Sequence, residues 1–138
     1  MMSAVFNKLN LKAQNEIVVV NAPASFEPEL ATLSDVEVIR EADKAASLEF
    51  ALAFVTRQDE LNRIAETLAD KAKGDALLWF AYPKKSSKRY TCDFNRDTGW
   101  DRIMELGFRP VRAVAIDEDW SALRFRRREY VKSSKPSR

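Results

Sequence analysis

The chain has 138 residues, of which 46% are hydrophobic and 32% charged, a composition typical of a folded globular protein. It contains no histidine and one cysteine, Cys92, which excludes histidine-based nucleophile pairs, histidine-containing metal sites and thiolate zinc sites. The formal net charge of +2 is too small to indicate a nucleic-acid-binding protein by itself.

Six strands and three helices are predicted along the chain. Unbroken apolar or β-branched runs indicate strands buried on both faces, whereas alternating runs indicate strands with one wet face. Apolar residues at helical spacing between capping signals indicate helices. The predicted strands are 16–20, 36–39, 48–55, 75–82, 111–116 and 121–128, and the predicted helices are 25–33, 56–73 and 97–106.

The longest apolar run, 75–82 (DALLWFAY), is typical of a central parallel strand covered by helices on both faces. The last strand, 121–128, alternates and is predicted to be an edge strand with arginines on its wet face. Gly74 is expected to end the preceding helix and Asp97 to cap the following one. Strands that alternate with helices predict an α/β fold with a mostly parallel sheet.

The same patterns indicate where the protein resides. No apolar run reaches the ~20 residues that a membrane span needs, and residues 1–12 lack the apolar segment of a signal peptide. A lone cysteine cannot form an internal disulfide, which fits a reducing compartment. We therefore expect a cytoplasmic protein without membrane contact, with a single Rossmann-like α/β domain at 1–131 and a flexible basic tail at 132–138.

The second half of the chain resembles a class I methyltransferase-type Rossmann domain. The resemblance implies a three-layer sandwich of about six strands, mostly parallel, with an antiparallel C-terminal strand. The features that carry it are the strand 48–55, the helix ending at Gly74, the strand 77–82, the helix ending at 105–108 (ELGF) and a strand pair around 117–120.

That family binds adenosylmethionine (SAM) with a glycine-rich turn after the first strand and an acidic residue at the end of the second. Here the turn 21–26 (NAPASF) has no glycine, and Pro23 lacks a backbone donor. Glu41 is a displaced version of the acidic residue. We therefore expect the SAM site to be lost and no cofactor to be bound.

Nearly the whole chain also resembles a group of short, uncharacterised bacterial proteins, a domain of unknown function. The matching motifs are long: 78–84 (LWFAYPK), 93–101 (DFNRDTGWD) and 116–126 (IDEDWSALRFR). This group implies no function that can be transferred to the chain.

A ligand site is predicted at the rim where the parallel strands end, because open α/β sheets bind ligands there. The basic loop 84–89 (KKSSKR) leaves the longest strand at this rim. Its lysines, hydroxyls and backbone amides suit a phosphate or another anion, although an ordinary solvated loop explains them too. The residues predicted to bind the ligand are Asn21, Tyr82, Lys84, Lys85, Ser86, Ser87 and Arg96.

Three aspartates are candidates for catalysis. Asp93, Asp97 and Asp117 can act as a general base or hold magnesium. The structural alternative is that Asp93 makes a turn, Asp97 caps a helix and Asp117 belongs to an acidic turn. We assign no metal site.

These features favour a non-enzymatic binding or regulatory module for a small anionic ligand such as a nucleotide. One alternative is an enzyme that acts on a phosphorylated substrate with an aspartate base or magnesium. The other is an interaction module whose basic segment 124–138 meets RNA or a partner protein. The sequence does not indicate the oligomeric state.

Overall fold

The computed structural model describes residues 4–12, 14–95 and 97–131. Its centre is one six-stranded sheet with the strand order β2-β1-β3-β4-β6-β5. The predicted tail 132–138 and Arg96 lie outside the described residues. The strands are β1 (Glu16–Val20), β2 (Glu37–Ile39), β3 (Leu48–Phe54), β4 (Ala72–Pro83), β5 (Phe108–Ala115) and β6 (Trp120–Arg127). The helices are α1 (Ala4–Lys8), α2 (Glu27–Leu30), α3 (Gln58–Lys71) and α4 (Asp101–Glu105), with 3-10 turns at Ala24–Phe26, Ala42–Lys44 and Arg128–Tyr130.

The sheet is mostly parallel, as predicted. β1 pairs in parallel with β2 and β3, and β3 pairs in parallel with β4. β6 inserts antiparallel between β4 and β5, which confirms the expected antiparallel C-terminal strand. The prediction that β6 is an edge strand is wrong, because the tight β5–β6 connection folds it back against β4 and leaves β5 at the edge.

Helices cover both faces of the sheet and produce the predicted three layers. Successive side chains of a strand point to opposite faces, so β4 contributes Phe80 to one apolar cluster and Trp79 to the other. α3 and α4 pack on the Phe80 face through residues such as Leu61 and Ile103. α1 packs on the Trp79 face through Phe6.

α1 was not predicted from the sequence. It has only five residues, too few for a helical apolar period to emerge. Phe6 and Leu9 are nevertheless fully buried, and the Trp79 indole Nε1 donates a hydrogen bond to the Leu9 carbonyl at 2.9 Å. The segment from Ala4 to Leu9 therefore packs against the middle of β4.

Helix ends differ from the predictions in two places. α3 ends at Lys71 and β4 begins at Ala72, so Gly74 lies inside the strand instead of ending a helix. Its φ of +57° is left-handed, and the β3–β4 register shifts in this part of the pair, between Leu48 and Phe50. The glycine thus marks an irregularity in a strand, which the sequence alone does not distinguish from a helix terminus.

The predicted helix 25–33 is a 3-10 turn followed by the four-residue α2, and no side chain caps either piece. Pro28 lies in the first turn of α2, where proline is well tolerated because no intrahelical donor is lost. Within the described part of the chain, no helix has the length and apolar character needed to cross a membrane.

We predict an acid-sensitive contribution from the ion pair between Asp75 of β4 and Arg126 of β6. Arg126 donates two hydrogen bonds to Asp75, at 2.8 and 2.6 Å, and these hold the pKa of the Asp75 carboxyl below its ordinary value. A carboxyl whose pKa is lower in the folded state stabilises the protein above its unfolded pKa and loses this effect as pH falls through the folded pKa. Because both side chains are about one third exposed, Asp75→Asn should cost at most about 1 kcal/mol at neutral pH.

Urea denaturation of the parent and of Asp75→Asn at about pH 7 and about pH 3 measures this effect, since only the ionised carboxyl is stabilised. The difference between the two proteins should shrink at the lower pH. Asp70→Asn, at an exposed position of α3, is the matched control. An equal difference at both pH values contradicts the assignment.

Candidate functional site

Two clefts open at the rim where the parallel strands end. The β1 cleft has a volume of about 510 Å³ and lies between the end of β1, the segment after β2, and α3. The β4 cleft has a volume of about 540 Å³ and lies beyond the end of β4. The polar residues of the β1 cleft are Asn21, Arg40, Glu41, Asp43, Glu60, Arg63 and Thr67. The β4 cleft is lined by Tyr82, Pro83, Lys84, Lys85, Ser87, Tyr90, Thr91, Cys92, Phe94, Asn95, Asp97 and Ser121.

The β1 cleft lies at the switch point of the sheet, where β1 has β2 on one side and β3 on the other. Asn21 follows β1 with a φ of +60°, a left-handed conformation that asparagine tolerates better than most residues. Its Nδ2 donates to Glu60 Oε2 at 3.0 Å and, more weakly, to the Phe54 carbonyl at 3.4 Å. The Asn21 side chain therefore links the ends of β1 and β3 to α3.

Charged groups of both signs surround this cleft. Glu60 Oε1 accepts a hydrogen bond from the Thr56 amide at 3.1 Å, which fixes the carboxylate at the start of α3. Arg40 binds Glu27 of α2 through two hydrogen bonds, at 2.8 and 3.0 Å, and these lower the pKa of the Glu27 carboxyl. Glu41 comes next in the chain and is exposed. The cleft thus offers a carboxylate just beyond β2 and a pinned amide at the end of β1.

The β4 cleft brings together four of the predicted ligand residues: Tyr82, Lys84, Lys85 and Ser87. Tyr82 and Phe94 are buried and their ring centroids lie 6.2 Å apart, which gives the cleft an aromatic floor. The other predicted ligand residues lie elsewhere. Ser86 is exposed on the turn beside the cleft, Asn21 belongs to the β1 cleft, and Arg96 is outside the described residues.

The basic loop beside the β4 cleft is held in place by the β5–β6 connection. The Ser87 hydroxyl donates to Asp119 Oδ1 at 2.9 Å and accepts from the amides of Arg89 and Tyr90 at 3.2 Å. The Lys84 amide donates to the Asp119 carbonyl at 2.8 Å. Ser87 is therefore a structural residue of the loop, whereas the lysine side chains line the cleft.

The three candidate aspartates do not converge. Asp93 Oδ1 accepts the Gln58 amide at 2.7 Å and so caps α3, instead of making a local turn. Asp117 Oδ1 accepts the amides of Asp119 and Trp120, at 2.8 and 2.9 Å, inside the acidic turn. Asp97 lines the β4 cleft and does not cap α4, which begins at Asp101. No group of three or more metal-ligating side chains occurs in the described ranges.

Cys92 lines the β4 cleft but lacks the features of a nucleophile. Burial raises the pKa of its thiol above the ordinary value. A hydrogen bond with the Phe94 backbone opposes this rise, and Asp93 adds a smaller increase. The thiol is therefore protonated at neutral pH, and only the thiolate is strongly nucleophilic. We assign Cys92 to the wall of the cleft.

Several cleft residues were missed because they come from distant parts of the sequence. Ser121 reaches the β4 cleft because β6 pairs antiparallel with β4 and places it opposite Tyr82. Arg40 and Arg63 meet in the β1 cleft through packing of α3 beside the segment after β2. Glu60 is the exception among these residues, because it has a local sequence signal. It lies four residues after Thr56, whose amide donates a hydrogen bond to the Glu60 carboxylate.

The chain shares its fold with solved methyltransferase structures. It superposes on a SAM-dependent methyltransferase from Aquifex aeolicus with a TM-score of 0.61 at 16% identity, covering 88% of this chain and 87% of that one. For the N-methyltransferase NodS from Bradyrhizobium japonicum WM9 the TM-score is 0.53 at 12% identity, covering 83% and 85%. For the magnesium protoporphyrin IX methyltransferase from Synechocystis PCC 6803, solved with bound SAM, it is 0.56 at 11% identity, covering 89% and 74%.

No protein-family model matches the chain, and no curated protein does. The resemblance to a group of short bacterial proteins therefore has no support from a family model, whereas the methyltransferase-type Rossmann fold is confirmed. At such low identities the structural similarity establishes the fold alone.

The structural neighbours contradict our prediction of a non-enzymatic anion- or nucleotide-binding module. The three solved structures named above are methyltransferases, which are enzymes. That prediction is wrong, as is the accompanying preference for a non-enzymatic protein over an enzyme. The turn 21–26 lacks glycine, yet the chain has the sheet topology of the methyltransferase-type fold.

We predict that Gly99 holds the floor of the β4 cleft in place. Its φ is +99°, and an added Cβ would lie 2.6 Å from the Phe94 Cβ and 2.7 Å from Gln58 Oε1. Gly99→Ala should therefore lower the unfolding free energy by about 3 kcal/mol, because backbone strain and a steric clash act together. Gly74→Ala is the control, since Gly74 also has a positive φ but nothing lies within 4 Å of the added Cβ. Equal losses for the two variants in urea denaturation would show that crowding at Gly99 has no effect.

Proposed function

We propose that this chain is a methyltransferase that binds SAM in the β1 cleft and a small acceptor with an anionic group in the β4 cleft. The observation that carries the proposal is that both clefts open at the carboxyl rim of a methyltransferase-type sheet, with the β1 cleft at the strand-order switch point.

The donor set of the β1 cleft fits an adenosyl amino acid. Glu41 is exposed just beyond β2, where its carboxylate would accept hydrogen bonds from ribose hydroxyls. Glu60 would attract the ammonium group, and Arg63 the carboxylate, of the amino-acid part. The cleft volume of about 510 Å³ is within the range of small-molecule sites.

The turn after β1 differs from a glycine-rich turn, and the difference affects which groups would hold SAM. Asn21 adopts the left-handed conformation that a glycine adopts without steric cost. Pro23 has no N–H group, so the turn offers fewer backbone donors to a ligand. Binding in the β1 cleft therefore depends on side chains, above all Glu41. This proposal replaces the expectation that the chain binds no cofactor.

The β4 cleft would position the acceptor. Lys84 and Lys85 attract its anionic group, while Tyr82 and Phe94 provide an apolar floor for a ring or an alkyl chain. When bound, SAM supplies an electrophilic methyl group. Asp97, the only carboxylate among the described lining residues of this cleft, would take a proton from the acceptor.

We predict that Glu41→Gln weakens the binding of S-adenosylhomocysteine about tenfold, because hydrogen bonds to a charged acceptor contribute roughly 1.5 kcal/mol or more. Isothermal titration calorimetry measures the dissociation constants. Glu49→Gln, an exposed position near the amino end of β3, should bind like the parent. If the parent does not bind this ligand at all, the cofactor assignment fails.

A second prediction concerns the acceptor. In a methyl-transfer assay over a panel of small carboxylic and phosphoric acids, Lys84→Gln combined with Lys85→Gln should raise KM about tenfold or more, because two charged hydrogen-bond donors are lost. The affinity for S-adenosylhomocysteine should not change, since both lysines lie outside the β1 cleft. Lys88→Gln, in the same loop but not lining the cleft, is the control. An unchanged KM for the double variant would refute the role of the lysines.

A further inference from the structure

A pair of arginines between β5 and β6 is not explained by the proposed reaction. Arg112 of β5 lies directly opposite Arg124 of β6 in the strand register. Directly opposed residues of neighbouring strands project from the same face of the sheet. The pair therefore places two positive charges side by side, in an arrangement that destabilises a sheet.

The neighbouring arginines have clear structural partners. Arg109 donates to the carbonyls of Met104 and Phe108, at 3.0 and 2.8 Å. Arg127 donates to the carbonyls of Ala72 and Gly74, at 2.6 and 3.2 Å. Arg126 forms its two-bonded ion pair with Asp75. Each of these guanidinium groups is thus used to hold the chain together.

Arg124 differs from these three arginines. Its Nε is buried and has no hydrogen-bond partner among the described residues. Burial lowers the pKa of its guanidinium, Arg126 and Arg112 act in the same direction, and only Asp75 opposes them. Arg124 is thus a half-buried cation close to two other cations, and its buried Nε donor is unused. A bound anion would neutralise the charge and accept a hydrogen bond from this donor.

The pair lies between β4 and the edge of the sheet. Arg124 lies opposite Trp79 of β4, whose indole is covered by the segment after α1. Arg112 is at the edge strand and is exposed. Neither arginine lines the β1 or the β4 cleft, so the pair is separate from both proposed substrate positions.

We infer that Arg112 and Arg124 form a binding site for an oxyanion of the phosphate class. A guanidinium presents its N–H groups in a planar fork that matches the oxygens of phosphate, and two opposed guanidiniums can grip different oxygens of one group. A phosphate group also carries enough negative charge to offset both cations. The inference is independent of the methyltransferase proposal, because it involves neither cleft.

Thermal unfolding with pyrophosphate as the probe tests this inference. Pyrophosphate is titrated at constant ionic strength, with sodium chloride as the balancing salt, and the Tm is recorded. The parent should show a saturable rise in Tm of about 3 °C or more, because a ligand that binds only the folded state stabilises it. In a Lys84→Gln, Lys85→Gln background, which removes the lysine charges of the β4 cleft, Arg124→Met and Arg112→Gln should each abolish the rise. Arg128→Gln, an exposed arginine just after β6, should retain it.

Arg124→Met keeps an unbranched apolar stem and removes the charge and the unused donor, so this variant should be at least as stable as the parent in buffer without phosphate. If it fails to fold, Arg112→Gln at an exposed position still tests the site. A short single-stranded oligonucleotide is a second probe that distinguishes a free phosphate from a phosphodiester. If only the oligonucleotide binds, and both variants abolish this binding, the site recognises a phosphodiester backbone. The inference is overturned if neither probe binds the parent, or if the two variants bind as the parent does.

Discussion

The double-sided burial of β4 is the constraint on which the rest of the structure depends. From Ala76 to Tyr82 no side chain is more than 7% exposed, and the side chains alternate between the two apolar clusters. A strand so placed must have its backbone groups hydrogen-bonded on both edges, because unpaired groups in an apolar interior are costly. β3 and β6 supply this pairing, one parallel and one antiparallel. The insertion of β6 is thus a consequence of how deeply β4 is buried.

The position of β4 also determines the chemistry of the rim. Its last residues, Tyr82 and Pro83, are still paired with β6 when the chain leaves the core. The next residues, Lys84 and Lys85, must therefore start at the rim, beside the aromatic floor. The β1 cleft arises from a different cause, the reversal of strand order between β1 and β3. The end of β3, followed by the start of α3 with its cap Asp93, lies between these two rim positions.

The sequence predicted the elements with strong local patterns and failed where long-range packing decides. All six strands and the longest helix were recognised, because each strand carries a β-branched or apolar run and the helix an apolar stripe at helical spacing. The edge position predicted for β6 was wrong. Alternating polar and apolar residues indicate that one face of a strand is exposed to solvent, but they do not indicate that a neighbouring strand is absent. Lys84 and Lys85 were assigned to the rim from the strand exit alone. Ser121 and Arg63 were not found, because only the fold brings them to the clefts.

Asp119 has a consequence for how tightly any molecule could bind beyond β4. It holds the segment from Lys84 to Tyr90 through a carboxylate and a carbonyl, so this segment has little conformational freedom to lose when a ligand arrives. The ordering of a flexible loop typically costs roughly 0.5–1.5 kcal/mol for each immobilised side chain, and a pre-ordered wall avoids part of that entropic cost. Affinity in the β4 cleft would thus be sensitive to the β5–β6 turn, whose residues need not touch the bound molecule.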